Sequence, residues 1–134
     1  MKTSELTGAL LNYWVARAEG YQFIDIPPDA NGENASRVLA PPDLLESGWT
    51  PAPTGKYGHI IPDWSTSWVH GGPIIERERI ATEWFYGEWA AHMGPRPMAL
   101  TVGQYSAAPT PLIAAMRAYV ASKFGDEVPN EVTP

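Results

Sequence analysis

Residues 110–125, TPLIAAMRAYVASKFG, predict a helix at the C-terminal end of the domain. Thr110 can accept hydrogen bonds from the first free amides, and Pro111 suits the first helical position because its missing N–H needs no partner there. Gly125 marks the end, since glycine readily adopts the backbone conformation that follows many helices. Apolar residues recur at intervals of three and four, which predicts one buried face. That face consists of Leu112, Ala115, Met116, Tyr119 and Val120.

The start of the chain predicts a second helix of about four turns. Thr3 or Ser4 can cap it, and Gly20 supplies a stop. Its apolar residues also follow helical spacing, which predicts an amphipathic helix that buries one side. The residues of this side are Leu6, Leu10, Tyr13, Trp14 and Ala18.

Residues 27–62 predict a long irregular insertion. The segments IPPDANGEN, APPDLLESGW and PAPTGKYG contain so many proline, glycine and asparagine residues that no helix there can exceed about two turns. Residues 43–47 can form a single turn. We expect the insertion to pack over the core, and the residues expected to hold it there are Trp49, Tyr57, Ile60 and Ile61.

The segment 74–84 fits both a strand and a helix. As a strand it places Ile74, Glu76, Glu78 and Ile80 on one face and the two arginines on the other; as a helix it begins at Pro73. We favour a strand, because WFYGEWAA, residues 84–91, is typical of a hairpin that turns at Gly87. Residues 98–102, MALTV, predict a third strand. The sequence therefore predicts one α+β domain, 1–134, with two terminal helices packed on a small antiparallel β-sheet and a long Pro-rich insertion.

The pair Gly71 and Gly72, followed by Pro73, has two interpretations. Two glycines before a proline are typical of a tight turn, which is the interpretation we favour. Consecutive glycine amides can also form a concave anion site, to which Arg77 and Arg79 would add positive charge. The alternation of acid and base from Glu76 onward indicates solvated ion pairs rather than a catalytic set.

Arg117 is the other candidate ligand-binding residue. A guanidinium on a largely apolar helix needs a carboxylate partner, such as Glu76 or Glu78, or else a ligand. The candidate ligand-binding set is therefore Gly71, Gly72, Glu76, Arg77, Arg79 and Arg117.

The sequence gives little support for a metal site or for an enzymatic activity. The histidines do not lie at metal-ligand spacing, no Gly-x-Ser-x-Gly motif supports a hydrolase, and no catalytic residue can be named. We expect no metal and no cofactor. The tryptophans at 64, 68, 84 and 89 could bind bases or a partner, but core packing is the favoured interpretation.

Composition and charge limit the classes of partner that the protein is expected to bind. With 15 acidic and 9 basic residues the net charge is −6, and the basic residues are scattered, which disfavours nucleic-acid binding. The chain has no cysteine and no run of 18 apolar residues. We expect a cytoplasmic protein that does not enter a membrane.

Long stretches of the sequence resemble the NinX-like family of phage and prophage proteins. They are MKTSELTGALLNYWVARAEG at 1–20, WVHGGPIIERERI at 68–80, EWAAH at 88–92 and TPLIAAMRAYVASKFGDEV at 110–128. The resemblance implies an accessory phage protein with no established activity or catalytic residues. From it we expect a non-enzymatic factor that binds a host or phage protein or a second copy of itself. Exposed aromatic area near Trp64 and Trp68 would support this role. A small-molecule or anion-binding protein, and with it an enzyme, is the alternative.

Overall fold

The computed structural model describes residues 1–28, 30–32, 36–47, 61–94 and 106–129, and these have the α+β architecture that the sequence predicts. A short 3-10 helix, Thr3–Glu5, is followed by the helices α1 Gly8–Ala18, α2 Pro42–Glu46, α3 Trp68–Glu78 and α4 Pro111–Phe124. The strands are β1 Gln22–Ile26, β2 Ser36–Ala40, β3 Ile80–Phe85, β4 Glu88–Met93 and β5 Ser106–Ala108. β1 and β2 form an antiparallel pair, and a separate antiparallel sheet has the order β3-β4-β5.

Helix α4 forms where the sequence predicts a helix, and it lies at the centre of the fold. The Thr110 hydroxyl accepts a hydrogen bond from the amide of Ile113 at 3.1 Å, and Gly125 follows the helix with a φ of 89°. All five residues of the predicted face are buried, and so is Ala114. The helix packs against the three strands of the larger sheet and also against α1 and α3. Most elements of the fold therefore contact α4, and the candidate surfaces below are located by their distance along this helix.

The prediction that Thr3 or Ser4 caps the first helix is wrong, because α1 begins only at Gly8. The Thr3 hydroxyl instead donates to the carbonyl of Gly125 at 2.7 Å, and the Thr3 amide donates to the carbonyl of Asp126 at 2.8 Å. The first residues of the chain therefore run beside the segment that follows α4. Thr3 is a buried residue that joins these two segments.

Helix α1 is more deeply buried than an amphipathic helix. Residues 11–16 are all buried, so the expectation of a single apolar side is wrong. The predicted stop is confirmed: Gly20 has a φ of 91°, and the amides of Gly20 and Tyr21 donate to the carbonyls of Arg17 and Ala16. This pair of bonds is the Schellman arrangement that satisfies the last helical carbonyls.

The insertion contains more regular structure than predicted. β2 lies within it and pairs with β1, and the side chain of Leu39 joins the hydrophobic core. Helix α2 corresponds to the single turn expected at 43–47. Ile61 is half-buried and packs against the core as expected. The other expected anchors, Trp49, Tyr57 and Ile60, lie outside the described residues.

Helix α3 overturns two predictions at once, the strand at 74–78 and the tight turn at Gly71, Gly72 and Pro73. The helix forms because Ile74 is buried, 2% exposed, and Ile75 packs against the core one position further on. Gly71 allows the close approach: a Cβ there would lie 2.5 Å from both the Trp64 carbonyl oxygen and Leu112 Cδ1. Tertiary packing thus outweighs the poor helix propensity of two glycines and a proline.

The hairpin at Gly87 is confirmed, with β3 and β4 joined by Tyr86 and Gly87. β3 begins at Ile80, so the strand prediction holds for the second part of the ambiguous segment. The strand predicted at 98–102 lies outside the described residues, and the third strand observed is β5. No helix among the described residues is long and apolar enough to cross a membrane.

Candidate functional site

Arg77 lies in a cluster that joins three helices. Its guanidinium makes two parallel bonds to Glu19 at the end of α1, Nη1 to Oε1 at 3.0 Å and Nη2 to Oε2 at 2.5 Å. The Arg77 Nε also donates to Glu78 at 2.8 Å, and Nη2 donates to the Tyr119 hydroxyl of α4 at 3.1 Å. That hydroxyl donates in turn to Glu19 Oε2 at 2.5 Å. The polar groups of the cluster therefore satisfy one another.

The electrostatics of this cluster favour charged Glu19 and Arg77. Burial acts to raise the pKa of Glu19, but the hydrogen bonds from Arg77 and Tyr119 outweigh it and hold that pKa below its usual value. The hydrogen bond to Glu19 raises the pKa of Arg77. Burial, and then the bond to Glu19, raises the pKa of Tyr119 and keeps its hydroxyl protonated. The arrangement holds fixed charges and does not move a proton near neutral pH.

Arg117 has neither of the carboxylate partners suggested by the sequence. Its Nε donates to the carbonyl of Leu6 at 2.6 Å, and its Nη1 donates to the carbonyl of Ala107 at 2.9 Å. Burial lowers the pKa of this guanidinium. Arg117 therefore ties β5 and the segment before α1 to α4 through two backbone carbonyls.

The remaining candidates do not converge on one concave surface. The amide of Gly71 is used inside α3, where it donates to the carbonyl of Ser67 at 2.8 Å. Gly72 is half-buried in the same helix, and Glu76 is exposed near its end. Arg79 is exposed and ends α3 in the left-handed conformation, with a φ of 54°. Of the six predicted ligand-binding residues, Arg77 and Arg117 use their guanidinium groups for hydrogen bonds within the protein.

A different surface, at the tip of the β3–β4 hairpin, combines exposed aromatic rings with an unusual backbone. Tyr86 is 90% exposed and has a φ of 51°, and Gly87 follows it with a φ of 85°. Trp84 is 61% exposed, and its ring meets that of Trp89 edge to face at a centroid distance of 5.6 Å. Two large aromatic side chains thus extend into solvent on a short, well-defined turn.

The N-terminal turn of α3 adds a second exposed apolar pair. Trp68 is 55% exposed and Val69 is 79% exposed. The prediction that the tryptophans form core is therefore wrong for Trp68 and Trp84, and holds for buried Trp64. The exposed aromatic area that would support a binding role is supplied by Trp68 and not by Trp64.

Both apolar pairs lie toward the end of the domain where α4 begins. The strand register places Trp84 opposite Trp89 and Trp89 opposite Ala108, which is three residues before α4. Gly71, three residues after Trp68, packs on Leu112 in the first turn of α4. We call this end of the domain the aromatic end. Its members are Trp68, Val69, Trp84 and Tyr86.

Sequence reasoning missed both sites in part. Tyr119 was expected in the buried face, and a buried tyrosine hydroxyl needs a polar partner, but nothing in the sequence points to Glu19 as that partner. The aromatic end has one sequence signal, a tyrosine in the position before glycine where a hairpin turn favours asparagine or aspartate. No group of three or more metal-ligating side chains occurs in the part of the chain that the structure describes.

Comparison with known proteins identifies the chain at the level of its family. A search of the curated proteins found no match. A family model with the description "Bacteriophage P22, NinX" matches residues 2–123, which include every helix and strand described above except the last residue of α4. The match thus spans far more than the four stretches that carry the resemblance in the sequence. The chain belongs to the NinX family of phage proteins.

Proposed function

We propose that this phage protein is a non-enzymatic accessory factor that binds a protein partner in the host cytoplasm through the aromatic end. The partner is a host or phage protein or a second copy of the chain. Exposed tryptophan and tyrosine support this function, because these residues, with arginine, supply most of the binding free energy at protein interfaces.

The observation that carries the proposal is the backbone of Tyr86. A positive φ is uncommon for a bulky side chain, and type I′ turns, which need positive φ at both central residues, favour asparagine or aspartate before the glycine. Tyr86 occupies that position with a φ of 51° while its ring is 90% exposed. Its side chain therefore gains little from burial in the fold. Strained residues of this kind concentrate at binding sites.

The alternative, anion or small-molecule binding by the glycines and arginines of α3 and α4, has weaker support. The guanidinium of Arg77 is already paired with Glu19, and that of Arg117 with two carbonyls. A ligand at either arginine would have to replace internal bonds. The glycine amides lie within a helix and do not form an open concave turn.

The test is retention of a partner from phage-infected host cells. Tagged protein is immobilised, bound proteins are identified by mass spectrometry, and the partner is then purified and titrated directly against the wild type and two variants. Tyr86→Asn removes the ring but keeps a residue that suits the turn. Tyr86→Phe keeps the ring and serves as the matched control.

We expect Tyr86→Asn to weaken binding of the purified partner by about tenfold, the loss that follows from about 1.4 kcal/mol at an aromatic anchor. Tyr86→Phe should bind within about twofold of the wild type. Size-exclusion chromatography with light scattering separates a second copy from another protein. Equal binding by Tyr86→Asn and the wild type would contradict the proposed site.

A further inference from the structure

We propose that the partner segment that docks on the aromatic end is rich in arginine. This inference rests on the proposed function and adds the chemistry of the partner. It starts from the charges that surround the four exposed apolar side chains.

The two segments that form the aromatic end carry only negative formal charge. Residues 61–76 and 80–94 contain no lysine or arginine, and their acidic residues are Asp63, Glu76, Glu83 and Glu88. Asp63 and Glu88 are exposed. Each apolar pair therefore has an exposed carboxylate nearby in the chain. Glu88 pairs with Phe85 across the hairpin turn, and Asp63, whose Oδ1 also accepts a hydrogen bond from Asn12, precedes Trp68 by five residues.

The basic residues that the structure describes lie elsewhere or are engaged. Arg79 precedes β3, at the other end of that strand from Trp84, a separation of about 16 Å at 3.3 Å per residue. Arg37 pairs with Asp25 in the smaller sheet, while Arg77 pairs with Glu19. Residues 80–93, which form the hairpin and are all described, contain no lysine or arginine that could neutralise Glu88. The surface is complementary to a positively charged partner.

Arginine suits this combination better than lysine. Its planar guanidinium stacks on an aromatic ring and pairs with a carboxylate at the same time, whereas the lysine ammonium is compact and strongly hydrated. The protein contains one such arrangement internally. The guanidinium carbon of Arg77 lies 5.8 Å from the centroid of the Tyr119 ring while the same group pairs with Glu19. The aromatic end offers the same two groups, aromatic rings and carboxylates, and a partner would supply the arginine.

The experiment measures binding of a fluorescein-labelled nona-arginine peptide by anisotropy at physiological salt, with nona-lysine and nona-citrulline as matched probes. The citrulline peptide keeps the shape of the side chain and removes its charge. Variants are Tyr86→Asn, the double variant Trp84→Thr/Tyr86→Asn, Glu88→Gln and, as a charge-matched control, Glu127→Gln. Glu127 lies beside Lys2, past the C-terminal end of α4, about 20 Å from its start. Circular dichroism confirms that each variant is folded.

We expect nona-arginine to bind at least threefold more tightly than nona-lysine and nona-citrulline not to bind. The double variant should weaken nona-arginine binding about fivefold, and Glu88→Gln about threefold, while Glu127→Gln changes it less than twofold. Equal affinity for the arginine and lysine peptides, or equal losses from Glu88→Gln and Glu127→Gln, would show attraction by net charge alone and overturn the inference. If Tyr86→Asn releases the natural partner but binds nona-arginine like the wild type, the proposed function stands and this inference fails.

Discussion

The guanidinium of Arg77 and the carboxylate of Glu19 face each other with two parallel hydrogen bonds, at 3.0 and 2.5 Å, across 58 residues of sequence. This pair joins the end of α1 to the last turn of α3, and the Tyr119 hydroxyl joins both to α4. Since the Arg77 side chain is 50% exposed and that of Glu19 only 18%, the carboxylate is the more enclosed partner. The cluster therefore holds the three helices in position. The candidate contact surface is the aromatic end.

The first prediction concerns pH. Because the pKa of folded Glu19 is below its usual value, its ionised form contributes stability that is fully present above the unfolded pKa of about 4.3 and is lost as the pH falls through the lower folded pKa. Glu19→Gln should lower the free energy of unfolding by about 1 to 2 kcal/mol near pH 7, a range reduced because Arg77 is half exposed. The measurement is urea unfolding from pH 3 to pH 8.

The difference between wild type and Glu19→Gln should be constant from about pH 6 to pH 8 and should narrow below about pH 4.3. Glu5→Gln is the control, since Glu5 is an exposed residue of the 3-10 helix and lies away from this cluster. A difference that keeps its full size at pH 3 would contradict the assigned role of the Glu19 charge.

The second prediction separates a structural Arg117 from a ligand-binding one. Arg117→Ala leaves the carbonyls of Leu6 and Ala107 without their partner and should cost about 2 to 3 kcal/mol of unfolding free energy. Arg117→Lys keeps the charge but cannot reproduce the fork of two donors, so it should recover only part of that loss. Thermal and urea unfolding measure both variants. If Arg117→Ala is as stable as the wild type but loses partner or ligand binding, Arg117 is a ligand-binding residue and not a structural one.

The third prediction uses the adjacent glycines of α3 as a matched pair. In Gly71→Ala the new Cβ would lie 2.5 Å from the Trp64 carbonyl oxygen and from Leu112 Cδ1, so α3 must shift away from α4. We expect a loss of about 1 to 3 kcal/mol. In Gly72→Ala the nearest atom is Trp68 Cε3 at 3.9 Å, an ordinary contact.

For Gly72→Ala two effects oppose each other. Alanine raises helix propensity, but the residue before a proline is disfavoured in the helical conformation. We therefore expect a change within about 1 kcal/mol, measured by urea unfolding beside Gly71→Ala. Similar losses at both positions would show that the tight contact with Trp64 and Leu112 is not what requires glycine at Gly71.

The sequence predicted the parts of the fold that local signals determine. Thr110, Pro111 and Gly125 act within a single helix, so their effect can be read from residues three or four positions apart. The hairpin at Gly87 is equally local. α3 could not be predicted in this way, because its glycines and proline disfavour a helix, and only the burial of Ile74 and the approach of Gly71 to α4 make one stable.

The candidate site was predicted less well because it depends on distant partners. Arg77 was expected to pair with the acidic residues beside it or to bind a ligand; it pairs with Glu78, but its main partner, Glu19, lies 58 residues away. Arg117 was expected to need a carboxylate, and the structure gives it two backbone carbonyls, which carry no sequence signal. Exposure of Trp68 and Trp84 is likewise a property of the assembled surface, since a tryptophan has the same local pattern in a core and at a contact site.

The last prediction concerns Tyr86 and separates binding from stability. Asparagine before Gly87 suits a type I′ turn better than tyrosine, and the tyrosine ring is 90% exposed. Tyr86→Asn should therefore leave the free energy of unfolding unchanged or raise it by up to about 1 kcal/mol, although the ring contact with Phe85 at 4.5 Å is lost. Urea unfolding measures this change, and Tyr86→Phe is the control. A stability loss above about 1 kcal/mol would show that the ring serves the hairpin itself, whereas a stable variant with weakened partner binding assigns the exposed ring to recognition.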